Sequence, residues 1–224
     1  MSEKYRTNYT IMQFAKAPLP GEVKTRMRPK LSELESVELH STLTRHSWGI
    51  IQRAQLCKHE LWVGSQPDHS FFTDLLADSD CEIRQQSGVD LGARLADAFK
   101  QSLGSACESD RQGAIVVGSD CPFLNAGYFS QALDALDQGA DIVLGPAVDG
   151  GYVLLGMRAY WPTVFQDIPW GGPQVFKETQ KRIKALGLRC VELSTLADID
   201  EPTDLGLLSD SDLPQNLRRY SELK

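Results

Sequence analysis

The chain has 224 residues, of which 42% are hydrophobic and 24% are charged, and its formal net charge is -7. That length and that apolar content suffice for one domain with a full core, and the balance is that of an ordinary globular protein. An acidic chain repels nucleic acid and anionic membranes over most of its surface, so any site for a polyanion must be a local basic patch.

The cysteines and the N-terminal residues indicate the cellular compartment of the protein. There are five cysteines, an odd number, and no two have C-x-x-C spacing, which disfavours a disulfide framework or a structural zinc site. Residues 1–10 are polar and lack the apolar core of a signal peptide. The longest apolar runs are far too short to span a membrane. We therefore expect a cytoplasmic protein without a membrane span.

Apolar, β-rich runs alternate with segments of helical periodicity along the chain. In chain order, strands are predicted over residues 9–14, 59–64, 81–85, 114–118, 142–144, 152–156 and 189–193. Helices are predicted over residues 34–54, 71–77, 91–103, 125–136, 174–186 and 202–208. Ser32 with Glu35 is a capping pair for the first helix, Asp90 and Asn125 begin two others, and Gly187 ends the fifth.

This alternation predicts an α/β fold, with a mostly parallel central sheet covered by helices on both faces. No linker or repeat divides the chain, so we expect a single domain over residues 1–224. The segment 209–224 is polar and is expected to fray or to lie on the surface.

A basic loop directly follows the first predicted strand. Residues 15–28 read AKAPLPGEVKTRMR and hold two prolines, a glycine and four cations. Ligands of open parallel sheets bind beyond the carboxyl ends of the strands, where Lys16, Lys24 and Arg26 could meet phosphate oxygens while Gly21 permits a close backbone approach. The alternative is a solvated surface loop. The spacing matches neither a P-loop nor a G-x-G-x-x-G fingerprint.

An acid follows the most apolar strand, in the sequence Gly118-Ser119-Asp120-Cys121-Pro122. A carboxylate at the end of a buried strand is costly unless it is paired, used as a cap or bound to a metal. Magnesium and manganese prefer such hard oxygen ligands and often complete their shells with water and substrate phosphates. Asp120 is therefore a candidate metal ligand, or else a cap for the loop.

Two further acidic turns stand nearer the C-terminus. Asp149-Gly150-Gly151-Tyr152 joins two apolar strands, either as a tight turn or as a place where backbone approaches a ligand. Asp198 and Asp200 are two residues apart, so in an extended segment both carboxylates share one face and favour a cation between them. Asp200 could instead be only the N-cap of the helix that starts at Pro202. The four histidines show no metal-ligand spacing and are interpreted as surface or core-edge residues.

Taken together, the ordered motifs resemble a bacterial family of largely uncharacterised transferases with the glycosyltransferase-A fold. The resemblance covers residues 10–208 and rests on FAKAPLPGEVKTR (14–26), LGARL (91–95), GSDCP (118–122), GP with DGGY (145–152), IPW (168–170) and DIDEPTDL (198–205). It implies a Rossmann-like, three-layer α/β/α sandwich of the nucleotide-diphospho-sugar transferase type. That superfamily also includes the phospholactate and molybdenum-cofactor guanylyltransferases.

The resemblance also implies the roles of individual residues. The loop after the first strand would hold a nucleotide, and Mg²⁺ or Mn²⁺ would lie on Asp120 with Asp200 or Asp198. Asp120, Asp149 and Lys24 are the catalytic candidates. The nucleotide and phosphate candidates are Ala15, Lys16, Gly21, Lys24, Arg26 and Ser119, and the acceptor candidates are Gly150, Gly151, Tyr152 and Trp170.

The sequence departs from the family pattern at two places. The first loop lacks the Ala-Gly-Gly pattern of classic nucleotidyltransferases, and Gly171-Gly172 follows Trp170 where a Ser-Thr pair is typical. The leading hypothesis is a metal-dependent transfer from a nucleotide-sugar to a small-molecule acceptor. The alternatives are a nucleotidyltransferase that releases pyrophosphate and a non-catalytic nucleotide-binding module. The sequence does not specify the base, the sugar, the acceptor, the stereochemical outcome or the oligomeric state.

Overall fold

In the computed structural model, which describes residues 5–77, 79–81, 83–104 and 113–222, seven strands form one sheet. The strands are β1 (Arg6–Ala15), β2 (Cys57–Val63), β3 (Ile83–Gln85), β4 (Gly113–Val117), β5 (Ile142–Pro146), β6 (Tyr152–Met157) and β7 (Cys190–Glu192). Their order across the sheet is β3-β2-β1-β4-β6-β5-β7. All neighbouring pairs are parallel except β4–β6 and β5–β6, so only β6 runs against the others.

In the described part of the chain, six α-helices connect and cover the strands: α1 (Glu33–Ala54), α2 (Ser70–Leu75), α3 (Leu91–Leu103), α4 (Ala126–Asp137), α5 (Val175–Ala185) and α6 (Gln215–Arg218). Short 3₁₀ segments lie at Thr25–Met27, Pro162–Phe165, Pro202–Ser209 and Arg219–Glu222. The predicted caps are present: Ser32 and Glu35 form a capping box, and Asp90 and Asn125 accept from the backbone of the first helical turns.

The sheet has a hydrophobic layer on each face because successive strand residues point to opposite sides. Ile115 and Val117 pack in one layer with residues of α4 and the end of α1. Ala114 and Val116 pack in the other layer with residues of α3 and α5. This is the predicted three-layer α/β/α architecture, and the fold class is confirmed. Within the described residues, no helix is both long enough and apolar enough to cross a bilayer.

The segment after residue 209 corrects one expectation. It was expected to fray or to lie on the surface, but Leu213, Leu217 and Tyr220 are buried. They join an outlying cluster with Met27 and Leu31 from the first loop and with others from α1 and the C-terminal region: Leu39, Leu43, Ile199, Leu205 and Leu208. The cluster packs the start of the chain against its end.

The strand directions determine which loops meet. Because β1, β4, β5 and β7 are parallel, the segments that follow them leave the same edge of the sheet, and antiparallel β6 begins at that edge. We call this the carboxyl edge. The order of the strands along the chain reverses direction between the neighbouring strands β1 and β4. The segments that follow these two strands therefore lie at the switch point of the sheet, which is where open α/β sheets bind ligands.

Candidate functional site

A buried ion pair joins the first loop to the turn after β4. The Lys24 side chain is 2% exposed, and its Nζ lies 2.6 Å from Oδ1 of Asp120 and 3.9 Å from Oδ1 of Asp200. Nζ also donates a hydrogen bond to the carbonyl oxygen of Ile199. Residues from the start, middle and end of the chain thus converge at the carboxyl edge, as the sequence predicts.

Asp120 is partly open to solvent. Its side chain is 45% exposed, whereas its Oδ1 atom is buried against Lys24. Burial raises the pKa of this carboxyl, but Lys24, followed by His40 and Lys16, together outweigh burial and hold the pKa below its ordinary value. The backbone oxygen of Asp120 also accepts from the amide of Ile199 at 3.0 Å. The turn is therefore fixed at its backbone while one carboxylate oxygen is available for a ligand.

Asp200 is not the N-cap of the following helical segment. That cap is Glu201, which forms a reciprocal box with Asp204, and the amide of Asp200 also donates to Asp204. The carboxylate of Asp200 instead pairs with Arg26 at 2.7 Å and lies near Lys24. The cap alternative for Asp200 is therefore wrong.

Asp198 and Asp149 both line a pocket of about 340 Å³, which Arg26 and Asp200 also line. No described cation lies within ion-pair distance of either carboxylate. Burial, followed by the charge of Asp149, raises the pKa of Asp198 to about 6. The pocket thus carries negative charge that the protein's own cations leave uncompensated.

The glycine turn after β5 packs tightly against the Trp170 loop. Gly150 has a φ of +90°, and a Cβ there would lie 2.2 Å from the carbonyl oxygen of Pro173. The amide of Gly151 donates to Asp149, which orients that carboxylate. The Tyr152 ring meets Trp170 edge to face at 6.4 Å, and the Tyr152 hydroxyl is buried, which raises its pKa. Any acceptor contact by Tyr152 would therefore involve its ring.

Trp170 lies over the first turn of α3. A Cβ on Gly92 would come within 2.3 Å of Nε1 of the indole, so only glycine leaves room for the observed packing. Gly92 belongs to the LGARL motif, whose position at the start of α3 is thereby explained. The motif supports the loop that carries the predicted acceptor contact.

The remaining nucleotide candidates lie around the end of β1. Ala15 is its last residue, and exposed Lys16 follows. Gly21 has a φ of +78°, and its carbonyl accepts from Arg28. The hydroxyl of Ser119 donates to the Phe14 carbonyl and accepts from the Gln13 amide. Ser119 therefore ties the ends of β1 and β4 together.

Sequence reasoning missed His40, which it interpreted as a surface or core-edge residue. His40 is buried, its Nε2 donates to the Lys16 carbonyl at 3.0 Å, and its Nδ1 lies 3.9 Å from Oδ1 of Asp120. Burial lowers the pKa of the imidazole, so it is neutral near pH 7. Its place on the buried face of α1, beside Leu39 and Leu43, was the available sequence clue.

Arg94 was quoted only as part of a motif. Its guanidinium has no described carboxylate within ion-pair distance, and its Nε donates to the Gly88 carbonyl at 3.3 Å. It lies beside Gly64 and the amide of Gln86, and Gln86 in turn bonds to the Trp62 carbonyl. Arg94 is thus a half-buried cation, free of ion pairs, at the β1–β2–β3 side of the carboxyl edge.

The fold and these clustered charges define the class of the protein. A structure from Desulfovibrio desulfuricans G20, provisionally described as a nucleotide-diphospho-sugar transferase, matches with a TM-score of 0.83 and 27% identity over 97% of this chain and 94% of that one. The chain therefore has the nucleotide-diphospho-sugar transferase fold, and the prediction that it is a transferase is confirmed at the level of class.

More distant structures share the fold alone. CMP:2-keto-3-deoxy-manno-octonic acid synthetase in complex with CTP matches with a TM-score of 0.53 and 11% identity over 90% of this chain and 96% of that one. Glucosyl-3-phosphoglycerate synthase from Mycobacterium tuberculosis, with Mn²⁺, UDP and its product, matches with a TM-score of 0.55 and 11% identity over 93% and 81%.

A family model identifies the chain more closely. The model for DUF2064, described as an uncharacterized protein conserved in bacteria, matches residues 50–172, which is more than half of the chain. The chain belongs to this family. A comparison with curated proteins finds no match.

Proposed function

We propose that the protein is a divalent-metal-dependent glycosyltransferase that uses a nucleotide-sugar donor and a small-molecule acceptor, all within one domain. The observation that carries this proposal is the Lys24–Asp120 pair, which brings the basic loop and the acidic turns to one place on the carboxyl edge. Transfer from a nucleotide-sugar needs cations for the diphosphate and acids for a metal, and both are present there.

The acidic side of the edge suits a divalent cation. Among the described residues, no group of three or more His, Cys, Asp or Glu side chains is arranged to hold a metal unaided. Mg²⁺ commonly takes only one or two protein carboxylates and completes its shell with water and phosphate oxygens. Burial and then the charge of Asp149 raise the pKa of Asp198, and a bound cation would offset both effects. Asp120, Asp198 and Asp200 would hold it, and it would neutralise charge on the leaving diphosphate.

The other side of the edge suits the nucleotide. Lys16 and Arg94 are cations without described ion pairs, and they flank the ends of β1 and β2. Arg offers two parallel N–H donors to a phosphate, and Lys offers a point charge. Lys24 and Arg26, which begin the same loop's helical turn, would join them once their aspartates bind the metal. Ala15, Gly21 and Ser119 shape this side through the backbone.

The acceptor would enter beside the Trp170 loop. Asp149 lies in the acidic pocket with its carboxylate oriented by the Gly151 amide, and it would orient or deprotonate an acceptor hydroxyl. Gly150 allows the close packing that holds this turn, and the Tyr152 ring supports Trp170. Trp170 itself is partly exposed and offers an indole face to a sugar or another apolar group.

Nucleotidyl transfer is the second candidate, and one observation favours it: the fold is shared with a synthetase that binds CTP. The first loop lacks the Ala-Gly-Gly pattern of classic nucleotidyltransferases, and the relative at 27% identity is described as a nucleotide-diphospho-sugar transferase. These two facts favour glycosyl transfer.

The test is product analysis of the purified protein with a panel of nucleotide-sugars and nucleoside triphosphates, with Mn²⁺ or with EDTA. Metal-dependent release of a nucleoside diphosphate from a nucleotide-sugar supports the proposal. Release of pyrophosphate from a triphosphate assigns the second candidate instead. Nucleotide binding that is equal in EDTA, without turnover of any compound, contradicts both and indicates a binding module.

Matched variants locate the activity. Asp120→Asn removes one candidate ligand, whereas Asp212→Asn removes an exposed carboxylate in the C-terminal segment. We expect Asp120→Asn to lose the metal-dependent product and Asp212→Asn to retain it. Equal activity of the two variants would show that the metal site lies elsewhere.

A further inference from the structure

Lys24 already occupies the position of a counter-cation for the acids. Its ammonium is buried, contacts Asp120 at 2.6 Å, lies 3.9 Å from Asp200 and donates to the Ile199 carbonyl. The hydrogen bond to the Ile199 carbonyl uses one of the three N–H donors of the ammonium, and its charge is compensated by the ion pair with Asp120. A lysine in this state is a ligand of the aspartates and is not available to phosphate.

We propose that Lys24 is an exchangeable internal cation: it neutralises Asp120 in the free protein and transfers to the phosphates of the nucleotide when a divalent cation takes its place. This inference rests on the proposed function and specifies how its two ligands depend on each other. It predicts that the protein binds metal and nucleotide as a coupled pair.

Two features make the exchange feasible. Lys24 has a φ of 48° and a ψ of 38°, a left-handed conformation that is unfavourable for a residue with a side chain. No side-chain cap holds the start of its 3₁₀ turn, so the ion pairs of Lys24 itself stabilise this conformation. In addition, Asp149 and Asp198 lack described cation partners in the adjacent pocket, so the acids attract more positive charge than Lys24 and Arg26 supply.

The coupling follows from electrostatics. Without a nucleotide, a metal ion bound to Asp120 lies beside the buried Lys24 ammonium, and the two cations repel each other whether or not the ammonium leaves Asp120. With a diphosphate present, the displaced ammonium gains a new anionic partner, so metal and phosphate strengthen each other's binding. By linkage the effect is reciprocal, and couplings of this kind usually amount to about 5- to 150-fold in affinity.

The test measures Mn²⁺ binding by calorimetry, without and with inorganic pyrophosphate, for the full chain and for Lys24→Met. Met has a similar length but no charge, so Asp120 loses its internal partner. We expect Lys24→Met to bind Mn²⁺ alone about tenfold more tightly than the native protein does, and to lose most of the enhancement by pyrophosphate. Lys181→Met, which removes an exposed lysine paired with Glu178 on α5, should match the native protein.

Two results would overturn the inference: equal or weaker Mn²⁺ affinity in Lys24→Met, or no Mn²⁺ binding by either protein. If Lys24→Met does not fold, the inference is tested on the native protein alone. Its affinity for Mn²⁺ is then measured with and without pyrophosphate, and an affinity that pyrophosphate does not change excludes the coupling. The proposed function can fail while this inference holds. That outcome is a higher Mn²⁺ affinity in Lys24→Met and pyrophosphate coupling in the native protein, without turnover of any nucleotide-sugar. It would support the exchange and reject glycosyl transfer.

Discussion

The two halves of the carboxyl edge differ in charge. On the β1–β2–β3 side, Lys16 and Arg94 are cations without described ion pairs. On the β4–β6–β5 side, Asp149 and Asp198 are carboxylates without a cation partner among the described residues, and Lys24 bridges the two sides. Unlike charges in this site therefore meet at the buried Lys24–Asp120 pair and at the more exposed Arg26–Asp200 pair, while the other four charged groups stay apart. Such separation suits a ligand that brings both signs, as a metal–diphosphate complex does.

The bridging pair gives the largest expected effect. Asp120→Asn replaces the nearest anionic partner of the buried Lys24 ammonium by a neutral amide, and the nearest described carboxylate is then the more distant Asp200. Because breaking a buried pair strands a charge, we expect a loss of about 2–3 kcal/mol in the free energy of unfolding, somewhat below fully buried cases because Asp120 is partly exposed. Urea unfolding measures it. Asp212→Asn should change the free energy of unfolding by less than about 0.5 kcal/mol. An equal loss in both variants would show that the Lys24–Asp120 pair does not stabilise the fold.

The second prediction concerns the packing of Trp170 on Gly92. This contact connects the two sides of the carboxyl edge. Gly92→Ala places a Cβ where the indole lies, so Trp170 must move. We expect a loss of about 1–2 kcal/mol, with a shift of tryptophan fluorescence towards that of an exposed indole. Gly206→Ala is the matched control, because a Cβ there would meet nothing within 4 Å. Unchanged fluorescence in Gly92→Ala would contradict the packing.

The cationic side predicts a binding effect without a stability effect. Arg94→Met should weaken binding of a nucleoside diphosphate about tenfold, which corresponds to about 1.4 kcal/mol. Its unfolding free energy should hardly change, because Arg94 has no described ion pair to lose. Arg182→Met, which breaks an exposed pair with Asp167, should leave binding intact. Titration calorimetry compares the nucleoside-diphosphate affinity of the two variants. An affinity in Arg94→Met equal to that of the native protein would show that Arg94 does not belong to the nucleotide site.

On the acidic side, we expect a smaller effect on stability, and this effect depends on pH. The carboxyl pKa of Asp198 rises from an ordinary value of 3.8 to about 6 on folding. Ionisation of Asp198 therefore costs more in the folded than in the unfolded state, and the metal-free protein loses stability as the pH rises from about 4 to about 6. Asp198→Asn avoids that loss. After allowance for solvent screening, we expect it to be about 1 kcal/mol more stable at pH 7.

Thermal unfolding without metal at pH 4 and pH 7 measures this difference. The native protein and Asp198→Asn should be equally stable at the lower pH and should diverge at the higher one. A variant that is less stable than the native protein at pH 7 would show that Asp198 already has a partner in the metal-free protein.

The elements of the fold were predictable because each has a local cause. The Ser32–Glu35 box, the Asp90 and Asn125 caps and the apolar run at Ala114 lie within a few residues of the structure they determine. The antiparallel direction of β6 and the buried C-terminal segment were not predicted. The connection between β5 and β6, residues 147–151, is too short for a parallel crossover, so the direction of β6 has a local cause that the sequence analysis overlooked. The burial of the C-terminal segment depends on residues that are distant in sequence, since Tyr220 and Leu39 belong to one cluster.

The sequence analysis singled out Asp120 and Lys24, which the structure brings together, but it did not predict that they pair with each other. Asp120 and Lys24 stood out because their charge conflicts with their surroundings in the sequence. Whether Lys24 would face phosphate or aspartate depends on the turn at Ile199, which is far away in sequence. His40 and Arg94 were missed for a related reason: a histidine on an apolar helix face and an arginine in a helix resemble ordinary residues until their neighbours are known.

The most direct measurement is a crystal structure of the protein grown with Mn²⁺ and pyrophosphate, with data collected at the manganese absorption edge. The account predicts one anomalous peak within coordination distance of Asp120 and of Asp198 or Asp200, with the Lys24 ammonium moved to the pyrophosphate. A peak away from these carboxylates, or a Lys24 still bound to Asp120 beside an occupied diphosphate, would contradict it.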